Sequence, residues 1–351
     1  MDGKRRRKPL YGKSRREVAE KLKIALRDQQ QGLPVATERQ TVSQFLERWL
    51  ADVVQPNLEP KTHSSYADTC RVHIVPTPGN LRLTKLTPQD VTRLLRSKQE
   101  SGLSPRTVSY IRTVLRIALN RALKWGLVGR NVAALTDPPK IRRVEVHPLS
   151  PEQAREFLVA AEGDRLEALY RVAIALGLRI GEALGLRWED VDLETGTIHI
   201  RRALQRVKGK LIFKEPKTEK SRRTLSVPAS LVLALRGHRV RQLEERLAQG
   251  TAWEDMGLVF SNTIGRPLEP SNVLKRLKRL LRDADLPEQR FHDLRHCAAS
   301  LLLAQGVSAR VVMDILGHSQ MATTMDLYSH VMPAAHREAA ELMDRILAAE
   351  A

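Results

Sequence analysis

The sequence predicts a mostly α-helical protein with one small antiparallel β-sheet, organised as two helical domains joined by a linker. Three observations carry this expectation. Apolar residues recur at i, i+3, i+4 and i+7 behind side-chain caps along most of the chain. Alternation of apolar and polar residues, the pattern of a half-buried strand, appears between Thr197 and Val227. A proline-containing basic stretch from Asn131 to Pro148 separates two sets of helical patterns.

Composition narrows the partner. At 351 residues the chain is long enough to bury a core in each domain. Its 59 Lys and Arg against 40 Asp and Glu give a formal charge of +19, spread over the whole length, which points to a polyanion and most simply to nucleic acid. Aromatic residues make up only 4%, so phosphate contacts rather than base stacking should dominate. The two cysteines, Cys70 and Cys297, form no zinc spacing and fit a reduced, cytoplasmic protein. No apolar run approaches the roughly 20 residues of a membrane span, and the basic N-terminus lacks the apolar core of a signal peptide.

The chain opens on the cationic run Lys4-Arg5-Arg6-Arg7-Lys8, which by itself fits a basic tail. Pro9 to Gly12 could end a short strand, and Ser14 caps a helix carrying Val18 and Leu22 that closes at Gln31-Gly32-Leu33-Pro34. One strand and one helix cannot bury a core, so residues 1–33 look like the end of a small module whose beginning is missing.

The first full domain spans 38–128. Thr41-Val42-Ser43-Gln44 is a capping box, and Val42, Phe45, Leu46, Trp49, Leu50 and Val53 form the apolar stripe behind it. A second helix should run from about Thr62 to Ile74, stopped by Pro76 and Pro78-Gly79. Thr87-Pro88 opens a third and Ser104-Pro105 a fourth, with proline at the first helical position of each and Gly126 ending the last. Short connections make these four helices a compact bundle. Arg106, Arg112, Arg116, Arg121 and Lys124 decorate the last helix and are candidates for DNA-backbone contact; solubilising charge is the alternative. Residues 129–148 are expected to be the linker.

The second domain, 149–332, begins at the capping box Ser150-Pro151-Glu152-Gln153, and the helical pattern behind it ends at Leu176-Gly177. Arg179 follows this apolar helix and precedes Leu184 and Leu186, so its guanidinium should be partly buried and need a partner, which Glu182 supplies three residues on. Thr197 to Arg202, Leu211 to Lys214 and Arg223 to Val227 are expected strands of one sheet. Between the last two, Pro216 to Arg223 is a basic turn, and a lysine at its tip could protonate a leaving oxygen.

Phe291 to Ser300 reads as a helix stopped by Gly306, with His292 and Arg295 three residues apart on one face. Imidazole beside guanidinium suits a phosphodiester oxygen that gains charge. Gly317 can turn the backbone sharply to present His318, and Tyr328 follows ten residues later. A phenol of ordinary pKa about 10 needs neighbouring cations before it can attack. Each of these features alone is more often structural than catalytic.

In this order, Arg-x-x-Glu at Arg179 and Glu182, a turn lysine, His-x-x-Arg at His292 and Arg295, Gly-His at His318 and the late Tyr328 resemble the tyrosine recombinases, the phage-integrase family. The resemblance spans nearly the whole chain. It implies a helical core-binding domain and a tyrosine-recombinase catalytic domain that clamp double-stranded DNA. It implies that Arg179 and Arg295 hold the scissile phosphate and that Glu182 braces the site. Lys217 would be the general acid for the 5′ oxygen, with Lys220 a competing choice, and His292 and His318 would hydrogen-bond phosphate oxygens. Tyr328 would be the nucleophile of a 3′-phosphotyrosine intermediate. No metal and no cofactor are implied. The chain departs from the family at Cys297, where Thr is frequent, and the position is expected to be one of packing.

The start of the chain resembles the last strand and helix of the arm-binding module of integrases, to which Arg5, Arg6 and Arg7 would contribute DNA contacts. The implied activity is site-specific integration or excision of a mobile element by a homotetramer on attachment sites in a bacterial cytoplasm. Accessory partners such as a host DNA-bending protein or an excision factor stay open. A Xer-like resolvase and a catalytically silent regulator are the alternatives. Residues 333–351 are expected to form a helix with Ala339, Leu342, Met343, Ile346 and Leu347 on one stripe and to dock on a neighbouring subunit.

Overall fold

The computed structural model describes residues 11–30, 40–141, 147–215 and 222–317, together with Met343 and Leu347. The basic run Arg5 to Arg7, the turn lysines Lys217 and Lys220, His318, Tyr328 and most of the C-terminal stripe lie outside the described residues. The chain divides into two compact units, residues 1–144 and 145–351.

The first unit is helical. Helix α1 (Arg15–Gln30) starts where Ser14 Oγ accepts from the Glu17 amide. Helix α2 (Val42–Trp49) starts at Thr41, whose hydroxyl accepts from Gln44 N while Gln44 Oε1 accepts from Thr41 N, the reciprocal cap the sequence predicts. It continues through a π-helical turn (Leu50–Val54) into α3 (Gln55–Asn57). The second predicted helix begins two residues early, because Pro60 takes the first helical position: α4 (Pro60–Asp68) passes into a π-helical Thr69–Ile74. Helices α5 (Pro88–Glu100) and α6 (Pro105–Lys124) complete the bundle. Phe45, Leu46, Trp49, Ile74, Leu94, Ile111 and Leu115 are among its fully buried large side chains, each worth about 1.5–3 kcal/mol of burial.

The expected linker is shorter than its sequence suggests. Val132 and Ala133 pack into the first core. Asn131 Nδ2 donates to Arg116 O and Asn120 Oδ1 on α6, and its Oδ1 accepts from the Ala133 amide. Residues 131–136 therefore belong to the first unit: one asparagine supplies the caps that prolines and charge in the sequence do not reveal.

In the second unit the helical run after Ser150 is two helices, α7 (Pro151–Ala160) and α8 (Glu167–Leu176), broken at Gly163 with φ 74°. A short α9 (Ile180–Leu184) follows. Then come β1 (Val191–Asp192), β2 (Thr197–Ile200), β3 (Ala203–Val207), β4 (Lys210–Lys214) and β5 (Arg223–Ser226). The strands form two sheets, where one was expected. Antiparallel β1-β2-β5 pairs Ile198 with Leu225, and a separate β3-β4 hairpin pairs Leu204 with Phe213. The reason is the tight turn at Lys208 (φ 47°) and Gly209 (φ 80°), which returns β4 onto β3 before it can reach β2.

Helices α10 (Ala229–Gln249), α11 (Pro270–Asp283), α12 (Phe291–Ala304) and α13 (Ala309–Leu316) complete the unit. Its core runs from Phe157 and Tyr170 through Ile198 and Ile200 to Leu277 and Leu294. No helix among the described residues is long and apolar enough to cross a membrane.

Candidate active site

The site is assembled at the ends of four helices, α8, α9, α12 and α13. Helix α8 stops at Gly177, in the left-handed region at φ 60°, where a Cβ would lie 2.3 Å from Leu316 Cδ2. Only glycine allows both the turn and the approach of α13. The turn delivers Arg179 immediately before α9.

Glu182, in the first turn of α9, reaches back so that its Oε2 accepts from the Arg179 amide at 3.1 Å, while Oε1 takes Arg179 Nη1 at 2.7 Å. The guanidinium expected to need a partner has it. Arg179 Nη2 also donates to Gly317 O at 3.2 Å, 138 residues away. Its side chain remains 41% exposed, leaving donors for a ligand, whereas Glu182 is buried.

Arg295 comes from the buried face of α12. Only 1% of it is exposed, and its Nη1 and Nη2 donate to Gly177 O at 2.8 Å and Leu316 O at 2.5 Å. Burial, then the neighbouring charge of Arg179, pulls its pKa down to about 9, so it is still a cation at neutral pH. Burial pushes the Glu182 carboxyl up, but hydrogen bonding and charge from Arg223 and then Arg179 outweigh it and hold the pKa below the ordinary value.

His292 stands at the exposed start of α12, its ring edge-on to His296 at 4.9 Å between centroids. Partial burial, then the charges of His296 and Arg295, push its pKa down to about 4. The imidazole is therefore neutral at pH 7, able to donate from one nitrogen and accept at the other.

Because the folded pKa of His292 is depressed, the unfolded chain takes up a proton on this residue at a pH where the folded chain does not. Stability referable to His292 thus falls as pH drops through the ordinary 6.5 toward 4 and is unaffected above that window. Proton NMR of the DNA-free protein should give His292 a titration midpoint below about 5; a midpoint near the ordinary 6.5 would contradict this environment.

Asp293 secures the start of the same helix, accepting from Arg290 N at 2.8 Å and Arg290 Nη2 at 2.8 Å. Cys297 is wholly buried, its Sγ 3.6 Å from Leu149 O, and burial pushes the thiol up to about 11. It packs, as expected of the residue standing in for threonine.

Gly317 caps α13 at φ 66° and turns the chain at the residue before His318. The structure thus brings together Arg179, Glu182, His292 and Arg295. It also adds Arg223, which the sequence offers only as one more basic residue of the turn after Lys217.

The DNA-contact candidates on α6 divide. Arg106, Arg116 and Lys124 are exposed. Arg112 is half-buried and donates through Nε to Thr136 Oγ1 at 3.1 Å and through Nη2 to Thr136 O. That guanidinium ties the 131–136 segment to α6, an intramolecular contact in place of the solvent-facing position expected of it.

Comparison with known proteins places this fold in a family. The phage integrase family model matches residues 147–334, and that of the phage integrase N-terminal SAM-like domain matches residues 41–98. A "Tyrosine recombinase XerC-like" protein of Caldanaerobacter subterraneus subsp. tengcongensis is 30% identical, the match covering 98% of this chain and 93% of that protein. An integrase of Streptomyces ambofaciens is 34% identical over 98% of this chain and 90% of its own length. Among solved structures, the Tn1549 transposon integrase in complex with a circular intermediate DNA shares the fold, with a TM-score of 0.74 at 22% identity, covering 86% of this chain and 99% of that one. The chain belongs to the phage integrase family and is a tyrosine-type site-specific recombinase.

Proposed function

We propose that this recombinase cuts and rejoins double-stranded DNA at the attachment sites of a mobile element, with Tyr328 as nucleophile. The phenol passes its proton to the solvent with the help of His292 and His318, its oxygen attacks the scissile phosphorus, the bond from phosphorus to the 5′ oxygen breaks, and the DNA is left joined through a 3′-phosphotyrosine. Lys217 gives its proton to the departing 5′ oxygen. Arg179 and Arg295 balance the charge that accumulates on the phosphate, and Arg295 also holds the carbonyls that shape the site. His292 and His318 hydrogen-bond phosphate oxygens, His292 in its neutral form. Joining runs the same step backwards, with a 5′ hydroxyl of the exchanged strand attacking phosphorus and tyrosine leaving, so the bond energy is conserved.

The observation that carries this reading is the convergence of Arg179 and Arg295 on the carbonyls of Gly317 and Leu316, the residues directly before His318. The tyrosines support it too. Of the five in the chain, the second unit holds Tyr170 and Tyr328. Tyr170 is wholly buried, and burial, then the charge of Asp164, raises its pKa, which disfavours it as the nucleophile. Exposed Arg106, Arg116 and Lys124 would contact the DNA backbone from the first unit.

Exchange between two duplexes requires four cleavages, so the working form is a homotetramer on DNA. In the tail, Met343 and Leu347 are 51% and 72% exposed, available to a neighbouring subunit. The XerC-like relative favours a second reading, a Xer-like resolvase; helix α1, resembling the end of an integrase arm-binding module, favours integration and excision.

The test is incubation with nicked DNA spanning the junctions that flank the gene. A covalent protein–DNA species on a denaturing gel is the expected result, and its absence from DNA that the protein binds and recombines would refute the mechanism.

A further inference from the structure

The last three carbonyls at the end of α13 each accept from a different arginine. Ile315 O takes Arg223 Nε at 2.8 Å, Leu316 O takes Arg295 Nη2 at 2.5 Å, and Gly317 O takes Arg179 Nη2 at 3.2 Å. Two of these residues are the proposed phosphate ligands. The third, the first residue of β5, has a side chain only 7% exposed.

The other edge of Arg223 faces Glu182, with Nη2 3.0 Å from Oε2 and Nη1 3.4 Å from Oε1. Glu182 is therefore shared between Arg179 on one side and Arg223 on the other. A Cβ on Gly317 would come within 3.1 Å of Arg223 Nη1, so this guanidinium also lies against the turn that leads to His318.

We propose that Arg223 is a positioning residue for DNA cleavage: it ties Glu182 and the start of β5 to the end of α13, and so sets Arg179 and Arg295 at one phosphate. The inference rests on the catalytic reading above and deepens it. Three facts support it. The Arg223 guanidinium has all three nitrogens engaged, Nε by Ile315 O and both Nη atoms by Glu182, so it acts through the groups it holds. It lies six residues after Lys217 and opens the strand that receives the turn, pairing with Ile200. The C-terminal end of a helix carries partial negative charge, so a buried cation there fixes the last turn of α13 as well as the carboxylate.

Removing Arg223 would leave Ile315 O without its charged donor and Glu182 bound from one side only. Both proposed phosphate-facing elements would then be held less firmly, while the surface that meets the rest of the half-site stays as it is. A displacement of about 1 Å at a reacting centre costs about a hundredfold in rate.

The experiment uses the full chain, single-turnover adduct formation on nicked attachment-site DNA at saturating protein, and half-site affinity by gel shift. Arg223→Ala is expected to slow adduct formation by about a hundredfold while half-site affinity stays within about threefold. Arg223→Lys keeps one charged donor for Glu182 but loses the planar fork, and should be slowed only about tenfold.

If the alanine variant does not fold, the lysine variant carries the test alone. A rate within about threefold of wild type for the variant tested would overturn the proposal. So would a loss of rate matched by an equal loss of half-site affinity, the mark of a merely structural residue. Tyr328→Phe and wild type run beside them: a wild type without adduct, or an adduct from Tyr328→Phe, would overturn the catalytic reading and this inference with it. Normal wild-type behaviour with a fast Arg223 variant overturns the inference alone.

Discussion

Tyr328→Phe is expected to abolish the covalent protein–DNA species while leaving half-site binding unchanged. The substitution removes one hydroxyl and keeps the ring. The cationic residues that would meet DNA elsewhere, Arg106, Arg116 and Lys124 on α6 among them, are untouched. Removal of a nucleophile from an enzyme that works through a covalent intermediate lowers the rate by about ten-thousandfold or more. Adduct yield on nicked DNA and half-site affinity by gel shift read the two quantities separately. An adduct that survives would take Tyr328 out of the role.

Lys217→Ala should lower the cleavage rate by about a hundred- to ten-thousandfold, the usual worth of a general acid. A substrate with sulfur in place of the bridging 5′ oxygen should restore most of it. A thiolate leaves without a proton, so the lysine is no longer needed. Arg179→Ala should not recover on the same substrate, because the charge on the phosphate develops whichever atom departs. The comparison also separates the two turn lysines: Lys220→Ala should cut the ordinary oxygen-bridged substrate at close to the wild-type rate. Rescue of Lys220→Ala, and not of Lys217→Ala, would exchange their roles.

Local elements of the fold are legible in the sequence because their causes are local. The capping boxes at Thr41 and Ser150 are made by side chains three residues from the amides they satisfy, and both form as read. The Arg179–Glu182 pair is legible for the same reason, since a spacing of three brings the groups together at a helix start.

What the sequence hides is closure over distance. Arg295 is held by carbonyls 118 and 21 residues away, and backbone acceptors leave no mark in a sequence. Arg223 sits in a visible run of basic residues, yet nothing local tells the buried guanidinium from its neighbour Arg222, which pairs with Glu215 at the surface. The division into two sheets turns on Lys208-Gly209, a weak turn signal, and the length of the linker on the hydrogen bonds of one asparagine.

Helices α10 and α11 also go unassigned from the sequence, for opposite reasons. The buried Val273, Leu277 and Leu281 of α11 follow a plain i, i+4, i+8 spacing that can be read directly. In α10, the exposed Leu233, Val240 and Leu247 blur the contrast between its faces.

The central claim is that DNA becomes joined to the protein at Tyr328, and mass spectrometry of the trapped complex tests it most directly. The complex is formed on nicked attachment-site DNA, digested with nuclease to leave a short phosphorylated nucleotide, and cleaved with trypsin. Trypsin should release the peptide spanning residues 311–337, in which Tyr328 is the only tyrosine. The predicted result is that this peptide carries the nucleotide mass, with fragment ions placing it on Tyr328. A nucleotide on any other residue, or an unmodified 311–337 peptide from a preparation that recombines DNA, would contradict the account.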